Sequence, residues 1–579
     1  MRLSLRRHAV VIAAVVASAF SSTILSAQTD SAGMVVSKRG LVISSSSIAS
    51  DVGASILRRG GNAVDAAVAT AFALAVTYPG AGNIGGGGFM VVRLKNGTAT
   101  TIDYRERAPL GSTPTMYLDA NGKINRSLTA TGYLAPGVPG TVRGLALAHK
   151  RFGKLPWRDV VMPAAQLAAH GFPLDSALAR GLTREVSQAM KPYAASVAAY
   201  GKSGTADWQA GDTIVLADLG RTLSAIATRG PDVFYTGWIA DSIAADMQRN
   251  GGLITKKDLA AYRAKERAPI RGSYRGYDIV TMPPPSSGGV AMVEMLNILS
   301  HFDIQKEGRW SPETLHLLIE AMRRAYVDRA RYLGDPDFVK MPLAHLTSTK
   351  YAATLAARID KSRATSSVEL GKDIVTPASV ATESDETTQF SVVDKDGNAV
   401  SNTFTLEGGY GSHVVVRGAG FLLNNEMGDF NKKPGETNVQ GDIGTPANVI
   451  APGKRMLSSM SPTIVAKNGK LFMVTGSPGG RTIINTVMEV VLNATGFGMN
   501  AREAVDAPRL HHQWLPDVAT FERDAVPDST IARLRAMGHS VEQRGRQGDA
   551  HTIIFDPRSR TAYGANDRRS SDSKAATPE

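Results

Sequence analysis

The stretch from Glu383 to Thr405 reads E-S-D-E-T-T-Q-F-S-V-V-D-K-D-G-N-A-V-S-N-T-F-T. An acidic, polar segment meets two adjacent threonines and the pattern turns strand-like at once. Gln389 to Asp394 alternates in strand fashion, Asp396-Gly397 supplies a tight turn, and Asn398 to Thr405 returns as a second strand. This predicts a hairpin with Thr387 and Thr388 at its mouth. Two threonines at a strand edge carry no function by themselves, and their significance depends on what the rest of the chain offers.

The polar segment Lys372 to Glu386, which contains Pro377 and lacks any period, is the clearest internal boundary in the 579-residue chain. Beyond it the pattern is strand-rich, with helix again from Thr482 to Asn493. Before it, Met34 to Ser45 is strand-like, Ala49 to Arg59 is an amphipathic helix, and Ala63 to Val76 is an alanine-rich helix for the interior. Gly137 to Gly144 opens a helix from Leu145, helix dominates residues 150 to 270, Pro283 to Gly289 starts another helix through Leu299, and helix follows again from Pro312 to Tyr332. A length of this order suits two or three ordinary domains. Strands at both ends of a helical middle imply helices covering stacked sheets. The polar tail from Arg568 to Glu579 reads as disordered.

Composition narrows the function. Hydrophobic residues at 43% and charged residues at 20% describe a globular chain. Arg2, Arg6 and Arg7 precede an apolar run from Ala9 to Phe20, and Ser26-Ala27 supplies small residues before Gln28, the pattern of a secretory leader over residues 1–27. The run is too short to span a membrane. An exported protein, periplasmic or secreted, follows. The absence of cysteine excludes disulfides, thiolate metal sites and a thiol nucleophile. The net charge of +13 comes from basic residues dispersed among acids, and aromatic residues make up only 6%, so no nucleic-acid footprint is present.

Between Gly80 and Gly88 lies a literal G-x-G-x-x-G, but a helix precedes it and the strand Phe89 to Leu94 follows. Dinucleotide binding needs the opposite order, so this is a close-packing turn. The adjacent His511 and His512 are too few and wrongly spaced for a metal site by themselves. No cofactor is implied.

A threonine hydroxyl becomes nucleophilic only when a base takes its proton. Cleavage of the Glu386–Thr387 bond would give Thr387 a free α-amine, whose pKa of about 7.7–8.0 leaves roughly a tenth of it neutral at pH 7. Downstream, the strand Leu471 to Thr475 leads through Gly476-Ser477-Pro478-Gly479-Gly480 into a helix. Backbone N–H groups there can receive an oxyanion, each such donor contributing about 3 kcal/mol.

T-T-Q-F-S-V-V-D, L-L-N-N-E-M-G-D-F, L-S-S-M-S-P-T and G-S-P-G-G occur in that order from residues 387, 422, 457 and 476, supported by D-Y-R-E-R-A-P, P-P-S-S-G-G and A-P-R-L-H-H-Q-W. This set resembles the γ-glutamyltranspeptidase family of N-terminal-nucleophile hydrolases across essentially the whole chain after the leader. The resemblance implies an α+β fold, a four-layer αββα sandwich. It also implies a precursor that cuts itself into a large subunit (28–386) and a small subunit (387–579), which stay together. Thr387 is then the nucleophile, Thr405 the hydroxyl that supports it, and Gly479 and Gly480 the oxyanion loop. Arg105, Ser458 and Ser459 bind the α-carboxylate of a γ-glutamyl group, and Glu407, Glu426 and Asp429 its ammonium. The implied substrates are glutathione or other γ-glutamyl compounds, with water, amino acids or peptides as acceptors. Gln389, Glu407 and Gln440 depart from the residues common at those places in the family, His, Asn and a lid tyrosine. Two other readings stand beside this one: an acylase of the same fold acting on glutaryl-type amides, and a binding protein that never matures.

Overall fold

The computed structural model describes residues 33–376 and 386–579. The leader and most of the polar segment before Glu386 lie outside the described residues. Residues 34–579 form one compact unit, not the two or three that length allows.

The expected hairpin forms, with strands Thr388–Asp394 and Ala399–Thr405 paired antiparallel from Thr388↔Phe404 to Val393↔Ala399. Gly397 takes φ 85° at its turn, a left-handed angle that costs glycine nothing. The hairpin sits in the middle of a seven-stranded sheet. Its first strand pairs with Gly40–Ser44 and its second with Gly87–Arg93. Ala99–Asp103 and Lys265–Arg267 continue that sheet on one side. A second seven-stranded antiparallel sheet includes Thr463–Lys467 and Lys470–Thr475, flanked by Tyr277–Thr281 and Thr552–Asp556.

Period-two alternation assigns the two faces of the hairpin. Phe390, Val392, Val400 and Phe404 join the core beneath the helices, where Ala63–Thr77 is buried along its whole length. Val393 and Ala399 point the other way and meet Ile464, Val474 and Ile553 of the second sheet. Helices Gly288–Leu299 and Thr482–Gly496 cover that second sheet with a largely separate core. The result is the expected αββα sandwich.

The polar segment before Thr387 is thus no domain boundary. Strands from both sides of it interleave within each sheet, so a cut there leaves the pieces hydrogen-bonded strand to strand. The glycine run behaves as a packing turn. A Cβ on Gly86 would fall 2.1 Å from the carbonyl oxygen of Thr405, and one on Gly85 2.0 Å from that of Leu422.

Two expectations need correction. The helix after Gly137 begins at Thr141, one turn before Leu145. The tail from Arg568 is ordered: Lys574–Ala576 pairs antiparallel with Gly40–Ser44 and closes that edge of the first sheet. Ala575 and Ala576 are buried there, and Lys574 pairs with Asp51 at 2.7 Å. The partner that orders this short polar strand lies more than 500 residues away in the chain, which local composition does not reveal.

Candidate active site

Thr387 ends the segment that enters the hairpin and is 6% exposed. Its Oγ1 donates to the carbonyl oxygen of Glu386 at 2.7 Å and lies 3.4 Å from Thr405 Oγ1. Thr405 Oγ1 also reaches the Glu386 oxygen at 3.2 Å and accepts from the Glu407 amide at 2.7 Å. Asn83 Nδ2 holds the Thr405 carbonyl at 2.8 Å, so the glycine run and its asparagine fix the second threonine. The peptide bond before Thr387 therefore sits against two hydroxyls, one of them its own. Thr388 turns away and donates to Ser45 Oγ at 3.1 Å.

Gly479 (φ 128°) and Gly480 (φ 55°) form the loop between the strand Lys470–Thr475 and the helix from Thr482. Thr482 secures the loop by donating its amide and its hydroxyl to the Gly479 carbonyl at 3.0 and 2.7 Å. Gln389 packs against the start of this loop, since a Cβ on Gly476 would meet its side-chain oxygen at 2.3 Å. The Gln389 amide donates to Phe390 O and Ser401 Oγ at 2.9 and 3.1 Å and accepts from Thr403 Oγ1 at 2.5 Å. Gln389 is thus a buried polar tie within the hairpin beside the second sheet.

A cleft of about 680 Å³ runs inward from Thr387 and brings together Arg105, Thr405, Glu407, Glu426, Asp429, Ser458, Ser459 and Gly480. Of the residues expected in the site, Gly479 alone lies outside this cleft and lines a larger one that also reaches Thr387. Arg105 follows the strand Ala99–Asp103, is fully buried, and pairs directly with Glu426 and Asp429. Its Nε donates to the Met456 carbonyl at 3.2 Å. Burial works against its charge, but Glu426, Asp429 and Glu106 outweigh that and hold the guanidinium above its ordinary pKa. Burial pushes the Glu426 carboxyl up, against the pull of Arg105.

Ser458 and Ser459 are held by the P-P-S-S-G-G segment. Ser287 donates its amide and hydroxyl to the Ser458 carbonyl at 2.8 and 2.6 Å, and the Ser458 amide donates to Pro285 O at 2.9 Å. Asn448 ties this wall to the opposite one, donating to the Asp429 carbonyl at 2.7 Å and accepting from the Leu457 amide at 2.8 Å.

Two residues went unnoticed in the sequence. Arg329, on the helix Pro312–Tyr332, lines the cleft and donates to Ser459 Oγ at 3.2 Å and Ser287 Oγ at 2.9 Å. Glu106 is fully buried behind Arg105, with Oε2 3.7 Å from Nη1. Burial pushes its carboxyl up to about 7 although Arg105 opposes the shift. The second residue stood inside a quoted motif, D-Y-R-E-R-A-P, whose signal was one arginine and one acid side by side.

His511 and His512 are buried and their pKa values are pushed down to about 3 and 4 by burial, so both are neutral rings. His316, Glu320 and His539 approach one another elsewhere, but Glu320 already pairs with Arg323 and Arg324, a poor setting for a cation.

A family model described as gamma-glutamyltranspeptidase matches residues 49–577. The chain belongs to that family. Among its relatives, the glutathione hydrolase proenzyme of Escherichia coli (strain K12) is 49% identical over 542 residues, covering 94% of this chain and 92% of its own. The crystal structure of a cephalosporin acylase from Bacillus halodurans superposes with a TM-score of 0.81 at 28% identity, over 94% of this chain and 96% of that one. The γ-glutamyltranspeptidase structure from Helicobacter pylori gives 0.55 at 44% identity, covering 56% of this chain and 93% of that chain. The family and the sandwich thus agree with the resemblance seen in the motifs. Among the described residues no helix is long and apolar enough to cross a membrane.

Proposed function

We propose that this protein is an exported precursor that cleaves itself between Glu386 and Thr387 and then moves γ-glutamyl groups from donors such as glutathione to water, amino acids or peptides. The observation that carries this reading is the placement of the Thr387 hydroxyl 2.7 Å from the carbonyl oxygen of the preceding residue, with Thr405 beside the same oxygen.

In the first reaction Thr387 Oγ1 adds to the Glu386 carbonyl carbon. Charge develops on the oxygen that the Thr405 hydroxyl can stabilise. The C–N bond breaks, the nitrogen takes the hydroxyl proton, and the chain is left as an ester on Oγ1. Water hydrolyses that ester, ending the large subunit at Glu386 and giving Thr387 a free α-amine. In turnover this amine accepts the hydroxyl proton as Oγ1 attacks a γ-glutamyl carbonyl, with Gly479 and Gly480 offering amides to the oxyanion. The departing amine takes the proton, and water or a new amine resolves the acyl-enzyme. The interleaved strands keep the two subunits together as a heterodimer.

The charged wall selects the donor. In this structure Arg105 is paired with the carboxylates expected to hold the ammonium. A γ-glutamyl head brings both charges, so its carboxylate can take Arg105, with Ser458 and Ser459, while its ammonium replaces Arg105 beside Glu426, Asp429 and Glu407. A glutaryl head would take Arg105 and leave those acids without a cation, which disfavours the acylase reading.

Denaturing electrophoresis with N-terminal sequencing tests the first step. Wild-type protein should give two pieces, the smaller beginning at Thr387, and release the aniline of a γ-glutamyl anilide but not of a glutaryl one. Thr387→Ala should remain one chain with no turnover. A single wild-type band, or processing that persists in the alanine variant, would sink the reading.

A further inference from the structure

The larger cleft at Thr387 has a different chemistry from the donor cleft. It spans about 1980 Å³ counting the part open to solvent, and is lined by Thr387 and Gly479 together with Arg481, Arg544, Arg546 and Arg569. It shares Arg544, Arg546 and Arg569 with an outer groove that adds Arg523 and Arg568. The facing acids are Glu386 and Asp549 inside and Asp506 and Glu522 outside. Asp549 accepts from Ser45 Oγ at 3.1 Å, Glu522 is paired with Arg569, and Asp506 with Arg502 and Arg568. Arg544 differs from the buried arginines of the donor cleft. Its side chain is 61% exposed and its partner Glu542 is 51% exposed, a pairing that water weakens. Arg546, also exposed, donates to the Arg569 carbonyl at 2.5 Å. Arg481 follows Gly480, lines both clefts, and donates to Gly441 O at 3.2 Å.

We propose that this groove receives the amine that attacks the γ-glutamyl ester, and that it selects amines bearing carboxylates beyond the reacting nitrogen, acidic peptides above all, with Arg544 and Arg546 as specificity-determining residues. The inference rests on the acyl-enzyme reading above. The neutral amine enters beside Thr387, its nitrogen forms the new amide bond, the ester bond to Thr387 Oγ1 breaks, and the amine's proton returns to Oγ1. Carboxylates further along the acceptor then lie toward the arginines, which raise its local concentration by long-range attraction and can bind it in the forked guanidinium geometry.

The test uses the processed enzyme with a γ-glutamyl anilide as donor and three acceptors: glycylglycine, its C-terminal amide, and Gly-Glu-Glu. Transfer product and free glutamate are measured together across acceptor concentrations. The acceptor KM should be lowest for Gly-Glu-Glu and highest for the amide. The double variant Arg544→Gln/Arg546→Gln should raise the Gly-Glu-Glu KM about tenfold and move the amide's little. Raising salt on the wild-type enzyme should reproduce that selective loss without any substitution. Equal KM values for the three acceptors, or the same spread in the double variant and at high salt, would overturn the inference. A wild-type enzyme that releases no aniline would overturn the acyl-enzyme reading itself, an outcome plainly different from release without discrimination among acceptors.

Discussion

The two clefts that meet at Thr387 hold charge in opposite ways. In the donor cleft Arg105 is fully buried and pressed between Glu426 and Asp429, with Glu106 behind it. In the larger cleft Arg544 and Arg546 stand largely in water beside few acids. Buried charges have lost their hydration, so any of them left unpaired is costly, and such a site accepts only a head group that restores every pair. Exposed charges keep their water and attract a class of ligand weakly and at a distance. On the proposed reading, the first arrangement suits one chemical group, the zwitterionic end of a γ-glutamyl donor, and the second suits many partners that share a sign.

Removing Arg105 should break this contrast most severely. Arg105→Gln leaves Glu426, Asp429 and Glu106 without their cation, and loss of one member of a buried pair costs about 3–5 kcal/mol. Donor kcat/KM should fall roughly 10²–10³-fold or more. Among molecules that still process into two subunits, the acceptor KM at saturating donor should stay near the wild-type value. A donor KM that hardly changes would remove Arg105 from donor binding and erase the distinction between the clefts.

Which parts of this were legible in the sequence follows from how local their causes are. The hairpin was readable because Asp396-Gly397 sets its turn and its strands alternate. Gly85 and Gly86 were readable as close packing because the helix before them and the strand after them exclude a dinucleotide turn. Thr387, Thr405 and Arg105 came from motif order, and the structure brings them to one cleft although 300 positions separate Arg105 from Thr405. The ordered tail was not readable, because its three paired residues lack alternation and depend on the free edge of Gly40–Ser44. Nor was Arg329. The helix Pro312–Tyr332 carries four arginines, of which Arg323, Arg324 and Arg331 pair with Glu320, Glu320 and Asp328. Arg329 alone of the four lines the donor cleft. Periodicity identifies a helix face, but not which of several like residues on it meets a loop 130 positions away.

Arg329 offers a finer cut within the donor cleft. If it positions Ser459 for the donor carboxylate, Arg329→Gln should raise the KM of a γ-glutamyl anilide about tenfold, the scale of one lost charged hydrogen bond. It should leave kcat much less changed. A 4-aminobutyryl anilide keeps the amine and the scissile amide but lacks the α-carboxylate, so its already poor KM should not move. Equal losses on both substrates would mean that Arg329 merely supports the fold. Arg329→Lys, which keeps the charge but not the fork reaching Ser287 and Ser459, should recover only part of the binding.

The smallest effect expected is at Glu106, and it tests whether burial itself distinguishes the donor cleft. Glu106 and Glu426 share the neighbourhood of one buried guanidinium, and burial raises both carboxyls against its pull. Burial raises the Glu106 pKa from about 4.5 to about 7, against the opposing pull of Arg105. The folded protein therefore keeps a proton that the unfolded chain gives up between those values. The stability this contributes is fully present below pH 4.5 and is lost as pH rises through 7, at no more than about 1.4 kcal/mol per pH unit. Glu106→Gln carries a neutral amide at every pH, so the stability difference between wild type and variant, read from urea unfolding, should decline from pH 5 to 8. Over the same range ionised Glu106 adds negative charge beside Arg105, and the wild-type donor KM should rise relative to the variant's. The acceptor KM should show no such divergence, because the arginines of the larger cleft face water. A flat stability difference would mean that Glu106 is already ionised at pH 5 and that Arg105 neutralises it despite its burial.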